Sequence, residues 1–177
     1  MLNGLPPLVS SHTRLLILGS FPGAASLAAQ QYYGHPQNQF WKILQAIWPS
    51  CTIPTGINSY KIRSDWLLSK GLGLWDVYSA CEREGSLDAS IRKPVVNDFA
   101  QLRHWCPELQ AIAHNGGESF KHARHTALLD LPVYRLPSTS PANASWSFER
   151  KLAAWREVFE KHELLKNNES SAAAIHR

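Results

Sequence analysis

The run Arg14-Leu15-Leu16-Ile17-Leu18 is apolar at every position after the arginine and stops at Gly19. A strand with one wet face alternates apolar and polar side chains. A strand apolar throughout is covered on both faces, the condition of a parallel sheet held between two layers. Three further segments fit that frame: "LGLWDVY" (72–78), "LQAIAH" (109–114) and "PVYRL" (132–136). Between and after them, helical spacing recurs. Phe40, Leu44, Ile47 and Trp48 predict an amphipathic helix over 37–48, ended by Pro49. Phe99, Leu102 and Cys106 predict another over 95–106, and a further helix is expected over 118–125 after "NGG". The stripe Phe148, Leu152, Trp155, Val158 and Phe159 predicts the last helix over 147–165. Alternating elements of this kind imply an α/β fold: a three-layer α/β/α sandwich around a mostly parallel four-stranded sheet.

The length of 177 residues and the 44% hydrophobic content suit one domain, expected over 1–165, with a polar tail over 166–177 expected to be disordered. A formal charge of +4 permits a polyanionic partner without requiring one. Cys51, Cys81 and Cys106 are odd in number and widely spaced, which argues against a disulfide framework or an iron–sulfur site and fits a reducing, cytoplasmic setting. No apolar run has the length of a membrane span, and no signal-peptide pattern is evident at the N-terminus.

In open α/β sheets, ligands bind beyond the carboxyl ends of the strands. Three polar segments leave such ends here: "GSFPG" (Gly19, Ser20, Phe21, Pro22, Gly23), "NGG" from Asn115, and "PSTSPANA" (Ser138, Thr139, Ser140, Pro141 and Asn143 among them). If they converge, they form one site. The first is not GxGxxG, so the dinucleotide fingerprint is absent, and it is not the GxSxG elbow of hydrolases. No GK[ST] marks a P-loop, and no HxE…PCxxC marks a zinc deaminase. His114, His122 and His125 could ligate a metal, but histidines on a surface helix are the commoner case, so neither metal nor cofactor is expected. Strand, Gly/Pro turn, aromatic loop and the amide Asn38 remain. A site lined by Phe21, Tyr32 or Tyr33 and one amide suits a flat, uncharged heterocycle, stacked on a ring and read at its edge. The hydroxyls of 138–140 suit a phosphate, although taken alone the segment reads rather as an ordinary strand-to-helix loop.

Taken together, "LILGSFPG", the loop "YYGHPQNQFWKI" (32–43) and "LPSTSPANA" (136–144) resemble the motifs of the uracil-DNA glycosylase superfamily, and are most similar to its hypoxanthine (deoxyinosine) branch. "GSLDASI" (85–91) and "HNGGESF" (114–120) match less specifically. The resemblance implies the sandwich fold and hydrolysis of the N-glycosidic bond of a deaminated base in DNA, by a monomer without a cofactor. It also implies roles. Tyr33 stacks on the extruded base, His35 and Pro36 shape the loop, Asn38 serves the chemistry, and the 138–143 segment contacts DNA. Asn115 either reads the base edge or caps a helix. One departure stands out: where uracil-cleaving relatives carry a water-positioning Asp or Asn in the turn, this chain has Phe21. A uracil or mixed-specificity glycosylase, or an inactive nucleic-acid-binding module, are the alternatives. No lysine in the matched motifs stands as an obvious amine nucleophile, so simple hydrolysis is expected. "SPANA" carries no large wedge to fill a vacated base stack.

Overall fold

The structure is a computed structural model, and it describes residues 1–165. The expected disordered tail, 166–177, lies outside the described residues. In chain order the strands are β1 Leu2–Asn3, β2 Leu15–Gly19, β3 Leu72–Asp76, β4 Tyr78–Glu82, β5 Arg92–Val96, β6 Ala111–Asn115 and β7 Val133–Leu136. The helices are α1 Ala24–Ala29, α2 Phe40–Ile47, α3 Tyr60–Ser69, α4 Leu102–Trp105, α5 Gly117–Phe120, α6 Ala123–Thr126 and α7 Phe148–Lys161.

The central sheet has the order β3-β2-β6-β7 and every pairing in it is parallel. Successive side chains of a strand point to opposite faces, and the cores follow that alternation. Leu15 and Ile17 enter one cluster with Phe40, Leu44, Trp155 and Phe159. Leu16 and Leu18 enter the other with Trp75, Val77, Phe99 and Leu102. Both faces are therefore covered, and the fold is the expected three-layer α/β/α sandwich. Burying apolar side chains on both faces, two on each from β2 alone, at roughly 1.5–3 kcal/mol apiece, is the main force holding the layers together.

Two expectations are corrected. "LGLWDVY" is not one strand. It ends at Asp76, and the chain turns through Val77 into β4, which pairs antiparallel with β1 and β5 in a separate three-stranded sheet of order β1-β4-β5. The helix expected over 95–106 is also absent. Residues through Val96 belong to β5, and only Leu102–Trp105 is helical. Phe99, Leu102 and Cys106 still share one core, but a loop and a single turn bring them there. Two helices, α1 and α3, were not anticipated.

Candidate active site

Asp76, Gly19, Asn115 and Leu136 end the four parallel strands, and the register sets Gly19 directly beside Asp76 and Asn115 beside Leu136. Above them opens a cleft of about 1110 Å³. Each site residue expected from the sequence borders it: Gly19 to Gly23, Tyr33, His35, Asn38, Asn115, Ser138 to Pro141, and Asn143. The three polar segments do converge, and residues 86–89 join them as a fourth wall.

The turn after β2 is braced from that fourth wall. The Ser20 hydroxyl donates to Asp88 Oδ1 at 2.7 Å, and Ser86 Oγ accepts from the Ala24 amide at 2.9 Å. Phe21 is only 6% exposed and joins the second core, with the Arg83 guanidinium 5.3 Å from its ring centroid. Arg83 also donates to the Pro22 carbonyl at 2.6 Å. Among the described residues, the N–H groups of Ser20, Phe21 and Gly23 have no protein acceptor. Backbone donors that are left over at a strand-to-helix turn suit a ligand that carries or develops negative charge.

Asn38 uses its two ends differently. Its Oδ1 accepts from the Phe40 amide at 2.9 Å, satisfying one of the unpaired donors at the start of α2. Its Nδ2 has no protein acceptor among the described residues. Helix α2 is in turn anchored by Phe40, which is fully buried against Trp155 of α7. Gln39 fixes the loop further: its amide donates to the Thr139 carbonyl at 2.9 Å, and its side chain accepts from Lys151 of α7 at 2.8 Å. His35 is exposed, and its Nδ1 accepts from the Gln37 amide, a contact that shapes the loop.

Tyr33 sits at φ 55°, a conformation costly for a bulky residue. Two contacts hold it there. One ring face stacks on Phe40 at 4.2 Å and 19°, and its hydroxyl accepts from Asn115 Nδ2 at 3.1 Å. Asn115 is spent on that brace. Its amide nitrogen also donates to Thr139 Oγ1 at 3.0 Å, and its Oδ1 accepts from the Thr139 amide at 3.1 Å. It caps no helix, and both amide hydrogens are engaged, which leaves only the second lone pair of Oδ1 to meet a base edge. Thr139 is likewise buried and turned inward, unlike the surface contact expected of it. Ser138 remains half-buried at the rim, where its oxygen accepts from the Ser140 amide. Gly116, at φ 95°, lets the chain pass: a Cβ there would lie 3.0 Å from that of Ser138.

Sequence reasoning missed two charged residues. Arg135 is exposed on the cleft wall, its guanidinium beside Gly117 and 5.6 Å from the Phe120 ring. Asp76 is 5% exposed, and its Oδ2 is buried without a hydrogen-bond partner among the described residues. Burial, reinforced by the charge of Asp88 and opposed by Arg83, pushes its carboxyl up to about 7. Gly19 makes room for it, since a Cβ at that position would lie 2.4 Å from Asp76 Oδ1 and 3.4 Å from the Tyr33 hydroxyl. The histidines weighed as metal ligands do not converge. Both ring nitrogens of His114 are taken by the hydroxyls of Ser119 and Thr126, and burial holds its pKa down to about 4. His122 is instead bonded to Tyr78 and stacked on His125.

Fold and cleft together define an α/β/α sandwich with a largely uncharged site at the carboxyl edge of its sheet. The chain belongs to the uracil DNA glycosylase superfamily, whose family model matches residues 6–159. It is 35% identical over 160 residues to a protein of Methanosarcina barkeri named hypoxanthine DNA glycosylase, a match covering 89% of this chain and 98% of the relative. A protein of Methanosarcina acetivorans with the same name is 35% identical over 157 residues, covering 88% and 96%. The solution NMR structure of a candidate uracil DNA glycosylase from Methanosarcina acetivorans superposes with a TM-score of 0.77 at 33% identity, covering 91% of this chain and 98% of that one.

Proposed function

We propose that this protein is a monofunctional DNA glycosylase. It acts as a monomer inside the cell, and hydrolyses the N-glycosidic bond of a deaminated base, chiefly hypoxanthine, in base-excision repair. The two relatives named hypoxanthine DNA glycosylase, each matched along nearly its whole length, support this substrate. The observation that carries the reading is the site itself. An Asn38 bonded to the first amide of α2, with an unspent amide nitrogen, faces the same cleft as a turn whose usual polar position is a buried Phe21.

Breaking the bond builds positive charge on the sugar and negative charge on the departing base. Asn38 Nδ2 and the free N–H groups of Ser20, Phe21 and Gly23 supply donors for that anion. Donors already in place cost no reorganisation when the charge appears. Tyr33 stacks the extruded base, using the ring face that Phe40 leaves open. Ser138 and Arg135, on the rim and wall, contact the phosphates beside it. No lysine among the described residues borders the cleft to form a Schiff base, and the product is an intact strand with an abasic site.

Duplexes carrying a single deoxyinosine or a single deoxyuridine, incubated with the protein and then cleaved with alkali, test the reading. Release from the inosine duplex at least tenfold faster than from the uracil duplex is expected. The reverse preference would assign a uracil-directed enzyme, and no release from either would leave a binding module.

A further inference from the structure

Hydrolysis of a glycosidic bond must dispose of a proton. The attacking water gives one up as its oxygen bonds to the sugar carbon. Asn38 cannot take it, because an amide is a very weak base. The turn cannot take it either, since Phe21 is buried in the second core. Among the described residues bordering the cleft, three carry a carboxyl or imidazole group: His35, Asp88 and Asp76. His35 is exposed and its Nδ1 accepts from the Gln37 amide. Asp88 is exposed and bonded to Ser20. Of the three, Asp76 is the enclosed one, with a carboxylate oxygen that no group among the described residues satisfies. A buried polar atom without a partner is costly, and folded proteins retain few of them. Here it stands at the end of β3, beside the Gly19 that opens the turn. A side chain at Gly19 would collide with the carboxyl, so that glycine keeps the position clear.

We propose that Asp76 is a catalytic residue of this site: its carboxylate accepts the proton of the attacking water. The inference rests on the glycosylase reading. In the step, the water oxygen bonds to C1′ of the sugar, and the bond from C1′ to the base nitrogen breaks with its electron pair leaving on the base. The water proton moves to Asp76. The base anion, held by Asn38 Nδ2 and the turn N–H groups, then takes that proton from Asp76, or takes one from solvent while Asp76 releases its own to solvent. A neutral base, a hydroxylated sugar carbon and an ionised Asp76 result. Ionised Asp76 also opposes the positive charge that develops on the sugar. Asp76 thus supplies from the neighbouring strand the polar group that the turn lacks.

The charged and titratable groups around the carboxyl are Asp88 and Arg83 from the segment after β4, and the hydroxyls of Tyr32 and Tyr33. Asp88 and burial favour the protonated form, and Arg83 the ionised one. The reaction needs the ionised form. Single-turnover base release by the wild type is therefore expected to rise about tenfold per unit below pH about 7 and to level off above it.

The experiment compares wild type and Asp76→Asn on inosine, uracil and xanthine duplexes, with rates from pH 5 to 9, inosine-DNA affinity and melting temperature recorded for each. Asp76→Asn is expected to slow release of the wild type's preferred base about a hundred- to ten-thousandfold. Affinity should stay within about threefold, and the rising limb should vanish. A group that was only structural would lower the melting temperature instead and leave the shape of the pH profile alone. Wild-type release with a flat profile, or Asp76→Asn within about threefold of wild type, overturns the role of Asp76 and leaves the glycosylase reading standing. No release of any base by the wild type overturns that reading, and the role of Asp76 with it.

Discussion

On the proposed reading Asn38 does two jobs with one side chain, and substitution can separate them. Asn38→Ala removes the acceptor for the Phe40 amide and the donor proposed for the leaving base. It is expected to cost about 1 kcal/mol of stability through the lost Phe40 bond, and to slow base release about a hundred- to thousandfold through the lost donor. Asn38→Asp keeps the acceptor and loses only the donor, so it should melt with the wild type yet release base as slowly as the alanine variant. Single-turnover rates and melting curves on the pair check this, and an aspartate variant within about threefold of wild type would remove the donor from the chemistry. Asp76 carries a separate thermodynamic signature. Its carboxyl is raised from 3.8 to about 7 on folding, so the folded state holds its proton more tightly than the unfolded chain. Nothing is lost below pH about 4, where both states are protonated. Stability falls as pH rises through the window from about 4 to about 7, and the full cost is present above it. At about 1.4 kcal/mol per unit, the cost is on the order of 4 kcal/mol. The stability of Asp76→Asn relative to wild type should therefore grow between pH 4 and pH 8 in urea titrations. A constant difference would mean that the carboxyl is not perturbed.

At the scale of elements, the site is made where β2 and β3 end side by side. Gly19 and Asp76 share one register position, and the space that a Cβ would fill at Gly19 holds a carboxylate oxygen 2.4 Å away. Gly19→Ala must push that short, buried side chain aside. A loss of at least tenfold in base release, with about 1–3 kcal/mol of destabilisation from overpacking, is expected; unchanged rates in a folded variant would dissociate the carboxyl's position from the chemistry. The same region shows what the sequence could reveal. β2, β6 and the first half of "LGLWDVY" were legible because strands covered on both faces are apolar at every position, a pattern that needs no partner to be read. The break after Asp76 was not legible, because Val77 and Tyr78 continue the apolar run into a different sheet. β5 was hidden by its exposure and by Pro94, which marks edge strands and argues locally against strand. α3 was hidden for a different reason: its buried face is Arg63, Ser64 and Leu67, and the arginine is satisfied by Gln31 and the Gly56 carbonyl. No apolar stripe announces such a helix. The residues of the cleft were legible as motifs, yet the roles of Asn115 and Thr139 were not, because each spends its polar atoms on a partner distant in sequence. Asp76 carries no local signal at all. A lone aspartate at the end of an apolar run becomes notable only once the register places it beside Gly19.

For the whole molecule, the question is how a chain with a formal charge of only +4 grips a polyanion. Net charge this small cannot supply strong, sequence-blind binding by itself, so contacts near the cleft must contribute. Arg135 stands on the cleft wall, exposed, on the strand that leads into the 138–143 segment. Among the described residues its guanidinium rests beside the Phe120 ring and forms no salt bridge, so none has to be broken for it to meet a phosphate. On the proposed reading, Tyr33 serves the other half of recognition, the stacking of the extruded base. The two halves predict opposite patterns. Arg135→Ala should weaken binding to inosine-containing and undamaged duplex by the same factor, and should make the slope of log affinity against log salt shallower by about one. Tyr33→Ala should weaken the inosine duplex by about 1–3 kcal/mol, the range for base–aromatic stacking, and leave undamaged duplex and the salt slope unchanged. Removing that ring also strips a face of Phe40, so the titrations belong well below the melting temperature of the variant. Fluorescence-anisotropy titrations of both variants on both duplexes, at four salt concentrations, make the comparison. An equal loss on damaged and undamaged DNA in Tyr33→Ala would make Tyr33 a packing residue that only supports the loop, and base stacking would have to come from another wall of the cleft.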